Sequence, residues 1–117
     1  MALRTQDILV KARELISEED HWIQEYIGLN EEGLPVLDED ELRDATCFCS
    51  LGACLRAVQV IQGDDSIEHI PEENYEKLNA LVLRFHPDLK GEAISVYNDN
   101  HSHKEVLDLF DAMIAEA

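Results

Sequence analysis

The sequence predicts a mainly α-helical single domain, residues 1–117, with about four helices around a buried central helix and a short β-hairpin or other small β element. Three observations support this fold class. Apolar residues recur at helical spacing in the first and last thirds of the chain. The middle segment, residues 42–61, is apolar on nearly every helical face, as expected of an enclosed helix. A chain of 117 residues, 45% of them hydrophobic, is long enough to bury one core.

The first helix is predicted from one apolar face formed by Ile8, Leu9, Ala12, Leu15 and Ile16. The acidic residues 18–20 mark its end. The following residues predict a short hairpin, with its first arm at 22–27 and its turn and second arm within residues 30–36. Gly33 suits the left-handed position of its turn, and Pro35 confines the second arm to a sheet edge.

The central helix is predicted to begin near a capping pair formed by Asp38 and Glu41. Its apolar residues extend from Leu42 to Ile61, and Gly63 provides a natural end for the helix. Because the apolar residues surround the helix axis, this segment is predicted to form the centre of the core.

The next helix is predicted between Pro71 and Pro87, since proline is tolerated in the first turn of a helix and stops one at its end. The alternation of apolar and polar residues at 94–97 predicts a strand, and residues 98–100 predict a turn after it. The capping box Ser102–Glu105 opens a last helix. Its predicted apolar face consists of Val106, Leu107, Phe110, Met113 and Ile114.

The net charge of −17, from 26 acidic residues against nine lysines and arginines, is the most unusual global property of the chain. A field of this sign repels phosphate groups, so direct binding to nucleic acid or to an anionic membrane is not expected. It favours solubility and basic protein partners. An acidic surface that imitates DNA is a narrower alternative.

All three cysteines, Cys47, Cys49 and Cys54, lie close together, which raises the alternatives of a metal site, a redox switch or a packed helix. In a helix, Cys47 and Cys49 would point to nearly opposite sides. Cys47 and Cys54 would be about 10.5 Å apart along the axis, too far for a disulfide or a shared zinc ion. The sequence therefore predicts buried free thiols. With no export signal recognised at the start of the chain, we expect a reducing, cytoplasmic environment.

The best group of ligand-capable side chains is Asp99, His101 and His103, whose carboxylate and imidazole groups suit zinc, manganese or iron. Exposed turn residues explain the same pattern, so these three are weak metal candidates and no cofactor is expected. Neither a nucleophile elbow nor a phosphate-binding glycine loop is present in the sequence. The sequence therefore contains no motif that supports an enzymatic function.

Five motifs occur in a recognisable order along the chain. They are Trp22-x-Gln24, Gly33-x-Pro35-Val36, Cys49-x-Leu51-Gly52-Ala53, Ile94-x-Val96-Tyr97-Asn98-Asp99 and Glu105-Val106-Leu107-x-Leu109-Phe110-Asp111. In this order the sequence resembles a family of small uncharacterised bacterial and bacteriophage proteins, a domain of unknown function. The resemblance implies a small cytoplasmic domain, encoded in some cases by phages or mobile elements. It also implies the signature positions Trp22, Cys49, Gly52, Asn98 and Asp99.

Each signature position also has a structural explanation, such as a core aromatic residue or a close approach of two backbones. A glycine within the central helix predicts that a neighbouring element, another helix or Trp22, comes near the main chain at Gly52. A ligand site is expected, if anywhere, where this gap meets Asn98 and Asp99. The favoured function is a non-enzymatic interaction or regulatory module. The alternative is a small enzyme or a metal- or ligand-binding protein with its site at residues 98–103.

Overall fold

Five α-helices and two short strands make up the part of the chain that the computed structural model describes, residues 3–36 and 38–117. The helices are α1 (Thr5–Leu15), α2 (Ser50–Gln62), α3 (Glu72–Phe85), α4 (Ala93–Asn100) and α5 (His103–Glu116). The strands β1 (Gly28–Asn30) and β2 (Ala45–Phe48) pair antiparallel, and 3₁₀ helices lie at Glu19–His21 and Glu39–Asp44. The predicted fold class, mainly α with a small β element, is confirmed.

Helix α2 is buried along most of its length and contacts α1, α4 and β2. The other helices pack against one another through fully buried side chains that include Ile8, Leu9, Leu78, Val82, Ile94, Val106, Phe110 and Met113. Gln59 is the last residue of α2 that neighbouring elements bury. Val60 and Ile61 are 41% and 42% exposed. The prediction that the central helix is enclosed along its whole length is therefore wrong for its last turn.

The predicted start of the central helix is also wrong. The segment before Cys49 forms the Glu39–Asp44 3₁₀ helix and then β2, and α2 begins only at Ser50. Apolar residues occur in both β2 and α2, which are separated only by Cys49, so the sequence pattern does not show where the strand ends and the helix begins. Asp38 occupies the N-cap position of the 3₁₀ helix, but its side chain makes no capping hydrogen bond.

The hairpin prediction is correct at its turn and wrong in its pairing. Gly33 has a φ of 79°, and its N–H donates to the main-chain oxygen of Asn30 at 2.9 Å. The predicted second arm pairs with β1 rather than with residues 22–27, through an isolated bridge between Leu29 and Pro35 and hydrogen bonds from the Asn30 N–H to the Leu34 oxygen and from the Val36 N–H to the Gly28 oxygen, both at 2.9 Å. Strand β1 also pairs with β2. The predicted first arm, residues 22–27, is irregular.

The strand predicted at 94–97 and the turn predicted at 98–100 are both part of α4. Ile94, Tyr97 and Asn98 are buried, which is helical i, i+3, i+4 spacing rather than the alternation of a strand. Two turns of helix are too short for the sequence pattern to separate the alternatives. By contrast, the capping box at Ser102 and Glu105 is confirmed, with both of its hydrogen bonds formed.

None of the helices in the described part of the chain combines the length and the apolar character that crossing a membrane requires.

Candidate functional site

A buried polar network centres on Asn98, whose side chain is completely inaccessible to solvent. Its Oδ1 accepts hydrogen bonds from Trp22 Nε1 at 2.7 Å, from the Ser50 N–H at 3.0 Å and from Ser50 Oγ at 2.7 Å. Its Nδ2 donates to the main-chain oxygen of Ile23 at 3.0 Å. One amide thus joins three segments that are distant in sequence and satisfies the polar groups it buries with them.

Residues 22–27, which we call the 22–27 segment, are attached to α4 at two further points. Gln24 Nε2 donates to the main-chain oxygen of Asn98 at 3.1 Å. The N–H of Glu25 donates to Asp99 Oδ1 at 2.8 Å. Glu25 has a φ of 75°, a left-handed conformation that costs a non-glycine residue about 1–2 kcal/mol. The Asp99 carboxylate therefore helps to hold this segment in a conformation it would not adopt alone.

Gly52 lets the 22–27 segment lie directly on α2. A Cβ atom at position 52 would come within 1.8 Å of the main-chain oxygen of Ile27. The same oxygen accepts a hydrogen bond from the Cys49 N–H at 3.4 Å. The close approach predicted for Gly52 is present, and the main chain of Ile27 makes it, rather than Trp22 or another helix.

Each of the three cysteines is a buried free thiol, although only Cys54 lies within α2. Cys47 lies in β2, and Cys49 is the N-cap of α2, where its Sγ accepts a hydrogen bond from the Gly52 N–H at 3.3 Å. Burial raises the pKa of Cys49 to about 11, although N–H groups of the first helical turn oppose the shift. Burial also raises the pKa of Cys54. Cys49 and Cys54 are therefore poor nucleophiles at neutral pH.

We expect the protein to lose stability between pH 9 and pH 11, because the Cys49 pKa rises from 9.0 to about 11 on folding. Within this window only the unfolded chain releases the proton, so the stability that is complete below pH 9 is lost as the pH rises. A shift of this size corresponds to about 2–3 kcal/mol. Urea unfolding of the wild type and Cys49→Ser at each pH checks this. Serine replaces the capping Sγ with a hydroxyl oxygen and does not titrate in this range, so Cys49→Ser should lose less stability than the wild type. Identical pH profiles would contradict the assignment.

The imidazoles considered as metal ligands make separate contacts with carbonyl groups. His101 Nδ1 donates to the Tyr97 main-chain oxygen at 2.9 Å, and the two rings stack with centroids 3.8 Å apart. His103 Nε2 donates to the Ile16 main-chain oxygen at 2.6 Å. Within residues 3–36 and 38–117, no three His, Cys, Asp or Glu side chains form a group that could hold a metal ion. The geometry therefore gives the metal hypothesis no support.

A cleft of about 410 Å³ opens beside Gly52. Its floor is apolar and is formed by Ile27, Leu51, Leu55 and Ile70, which come from the 22–27 segment, from α2 and from the connection between α2 and α3. The volume lies within the range of about 300–1,000 Å³ that is typical of ligand pockets. The Ile27 main chain fills the space directly over Gly52, so the cleft lies beside this close contact, and Asn98 and Asp99 are not among the residues that line it.

The polar lining of this cleft is acidic. Glu68, Glu72 and Glu92 line it together with His69 and Tyr75, and no lysine or arginine is among the lining residues. All three carboxylates are exposed at the rim. The Glu72 and Glu92 carboxylates belong to the N-terminal ends of α3 and α4, where the helix dipole favours negative charge.

Tyr75 and Glu92 are linked across the cleft wall. Tyr75 OH donates to Glu92 Oε2 at 3.3 Å, and Ser95 Oγ donates to Glu92 Oε1 at 2.7 Å. Burial raises the pKa of Tyr75, and the Glu92 charge adds to this effect, so the phenol remains a donor at neutral pH. These two hydrogen bonds orient the Glu92 carboxylate at the rim of the cleft.

The fold and the cleft define a small helical domain with an acidic cavity of ligand size. Over residues 1–116 the sequence matches a family described as a family of unknown function (DUF6197), and the chain belongs to that family. This confirms the resemblance to a family of unknown function, whereas a bacterial or phage origin stays a prediction. No curated protein and no solved structure matches the chain.

The five signature residues come together around the 22–27 segment. Trp22 belongs to it, Asn98 and Asp99 bind it, and Cys49 and Gly52 lie beneath it. Their observed contacts position the main chain. Sequence analysis missed the cleft carboxylates, because isolated glutamates in a chain this acidic carry no distinguishing pattern.

Proposed function

We propose that this protein is a non-enzymatic interaction module that binds a basic segment of a protein partner in the cleft beside Gly52. The observation that carries the proposal is the composition of the cleft, which combines an apolar floor with three exposed carboxylates and, among the described residues that line it, no lysine or arginine. An apolar surface bordered by one sign of charge is suited to a ligand that is apolar along its length and cationic at its end.

The charge of the surface supports the same class of partner. In the described part of the chain, five salt bridges engage five carboxylates, whereas the sequence contains 26. The remaining negative field accelerates encounters with basic proteins and opposes nucleic acid and anionic membranes. Three free thiols are compatible with a cytoplasmic location, which belongs to the proposal. The most specific version of this proposal is that the protein is a phage or mobile-element product that blocks a host factor.

Affinity capture followed by reconstitution tests this function. The protein is immobilised, partners are recovered from an extract of the source cells, and the best candidate is purified and titrated by calorimetry. We expect a basic protein that binds at physiological ionic strength and binds more weakly as salt is added. An unrelated acidic domain of matched net charge is the control. Recovery of nothing beyond what this control retains would overturn the proposal.

A further inference from the structure

We infer that the group recognised by the cleft is an arginine side chain, presented by an exposed segment of the partner. This inference rests on the proposed function, because it names the chemical group through which the basic partner is held. It follows from three features of the cleft: the shape of its apolar floor, the arrangement of its carboxylates and the position of one aromatic ring.

The floor suits the aliphatic part of a long cationic side chain. Leu55 and Ile70 are 7% and 9% exposed, so they present a small apolar surface without requiring cover from a large partner residue. Gly52 and the Ile27 main chain against it form the adjoining wall, where no side chain projects from position 52. Arginine and lysine place their methylene groups on such surfaces and keep the charged group in water.

The rim favours a planar group with several donors over a single ammonium. Glu68 belongs to the α2–α3 connection, Glu72 to the first turn of α3 and Glu92 to the N-cap of α4, so the carboxylates approach the cleft from three elements. A guanidinium has five N–H donors in a fixed plane and can bind more than one carboxylate at once. A lysine ammonium behaves as a more strongly hydrated point charge.

Tyr75 adds a second preference for guanidinium. Its ring lines the cleft, and its hydroxyl is held by Glu92, so the aromatic ring lies next to a carboxylate. Guanidinium groups stack on aromatic rings more often than ammonium groups do, and such contacts contribute about 0.5–1 kcal/mol at exposed sites. Together the carboxylates and the ring specify arginine rather than any cation.

An NMR titration of the full chain with N-acetyl-arginine methylamide tests the inference. We expect saturable shifts of the backbone amides of Gly52, Ile70, Tyr75 and Glu92. The lysine analogue should bind more weakly, and the uncharged citrulline analogue should give no saturable shift. Shifts that are spread evenly over the acidic surface, or equal affinities for arginine and lysine, would overturn the inference.

Paired charge variants separate the cleft from the general negative field. The double variant Glu68→Gln, Glu72→Gln should lower the affinity for the arginine analogue about five-fold. This change corresponds to the loss of roughly 1 kcal/mol from two exposed charge pairs. Glu31→Gln with Glu32→Gln removes the same charge in the exposed turn near Gly33 and should leave the affinity nearly unchanged. Thermal unfolding confirms that both double variants fold. Equal effects of the two pairs would exclude the cleft as the binding site.

The two proposals fail in different ways. If a captured basic partner binds the Glu68→Gln, Glu72→Gln variant more weakly than the Glu31→Gln, Glu32→Gln variant, but the arginine and lysine analogues bind equally, the proposed function stands and the preference for arginine is wrong. If the arginine probe binds at the cleft but no basic protein is captured, the site stands and the proposed function is wrong.

Discussion

Replacing Asn98 with alanine is expected to lower the free energy of unfolding by about 3–5 kcal/mol, because a buried polar group without a partner costs about 1–3 kcal/mol. The change removes the acceptor used by Trp22 Nε1 and by both donors of Ser50, and the donor used by the Ile23 oxygen. A protein of this size has a total stability of about 5–15 kcal/mol, so the loss is a large part of it. Urea unfolding followed by Trp22 fluorescence measures it.

Asn100→Ala is the matched control in the same helix. Asn100 is exposed, and its side chain donates only to the Val96 main-chain oxygen at 2.8 Å, so its removal should cost less than about 0.5 kcal/mol. Similar losses for the two variants would contradict the role assigned to the Asn98 network.

Replacing Gly52 with alanine is expected to destabilise the protein although alanine is the better helix former. Helix propensity alone predicts a gain of about 1 kcal/mol. The new Cβ would come within 1.8 Å of the Ile27 oxygen, a main-chain atom that cannot move away by rotating a side chain. The 22–27 segment must therefore shift, and overpacking of this kind costs about 1–3 kcal/mol. Thermal or urea unfolding measures the net loss.

Gly63→Ala provides the comparison. Gly63 has a φ of 66°, and a Cβ at this position would have no atom within 4 Å. Its replacement should therefore cost only the free energy of holding alanine in a left-handed conformation, about 1–2 kcal/mol. Gly52→Ala should in addition move the backbone amide signals of the 22–27 segment, whereas Gly63→Ala should not. A more stable Gly52→Ala variant would show that the close approach is absent.

The helices with a clear amphipathic period were predictable from the sequence. The segments 72–85 and 103–116 each have one apolar face and a recognisable start, Pro71 in one case and the Ser102 capping box in the other. Helix α4 was not predictable, because eight residues hold too few periods to distinguish a helix from a strand. Strand β2 was hidden because it runs directly into the apolar first turns of α2.

The candidate site was predictable in part. A glycine inside a helix correctly indicated a close neighbour at Gly52. The identity of that neighbour depends on β1 pairing with β2, which no local pattern reports. The Trp22–Asn98 hydrogen bond likewise joins residues 76 positions apart. A single sequence shows that both side chains are present but does not show that they pair, because many distant residues could form a hydrogen bond with either of them.

The Asn98 network also has a consequence for the order in which the chain folds. The Asn98 side chain bonds to residues 48 and 76 positions away in the sequence. Bringing these residues together costs conformational entropy before their hydrogen bonds can form. Helices α1 and α5 close hydrogen bonds between near neighbours in sequence, whereas the Asn98 network requires the 22–27 segment, the start of α2 and α4 to be in place together. We therefore expect the Asn98 network to form late in folding, after most of the chain has assembled.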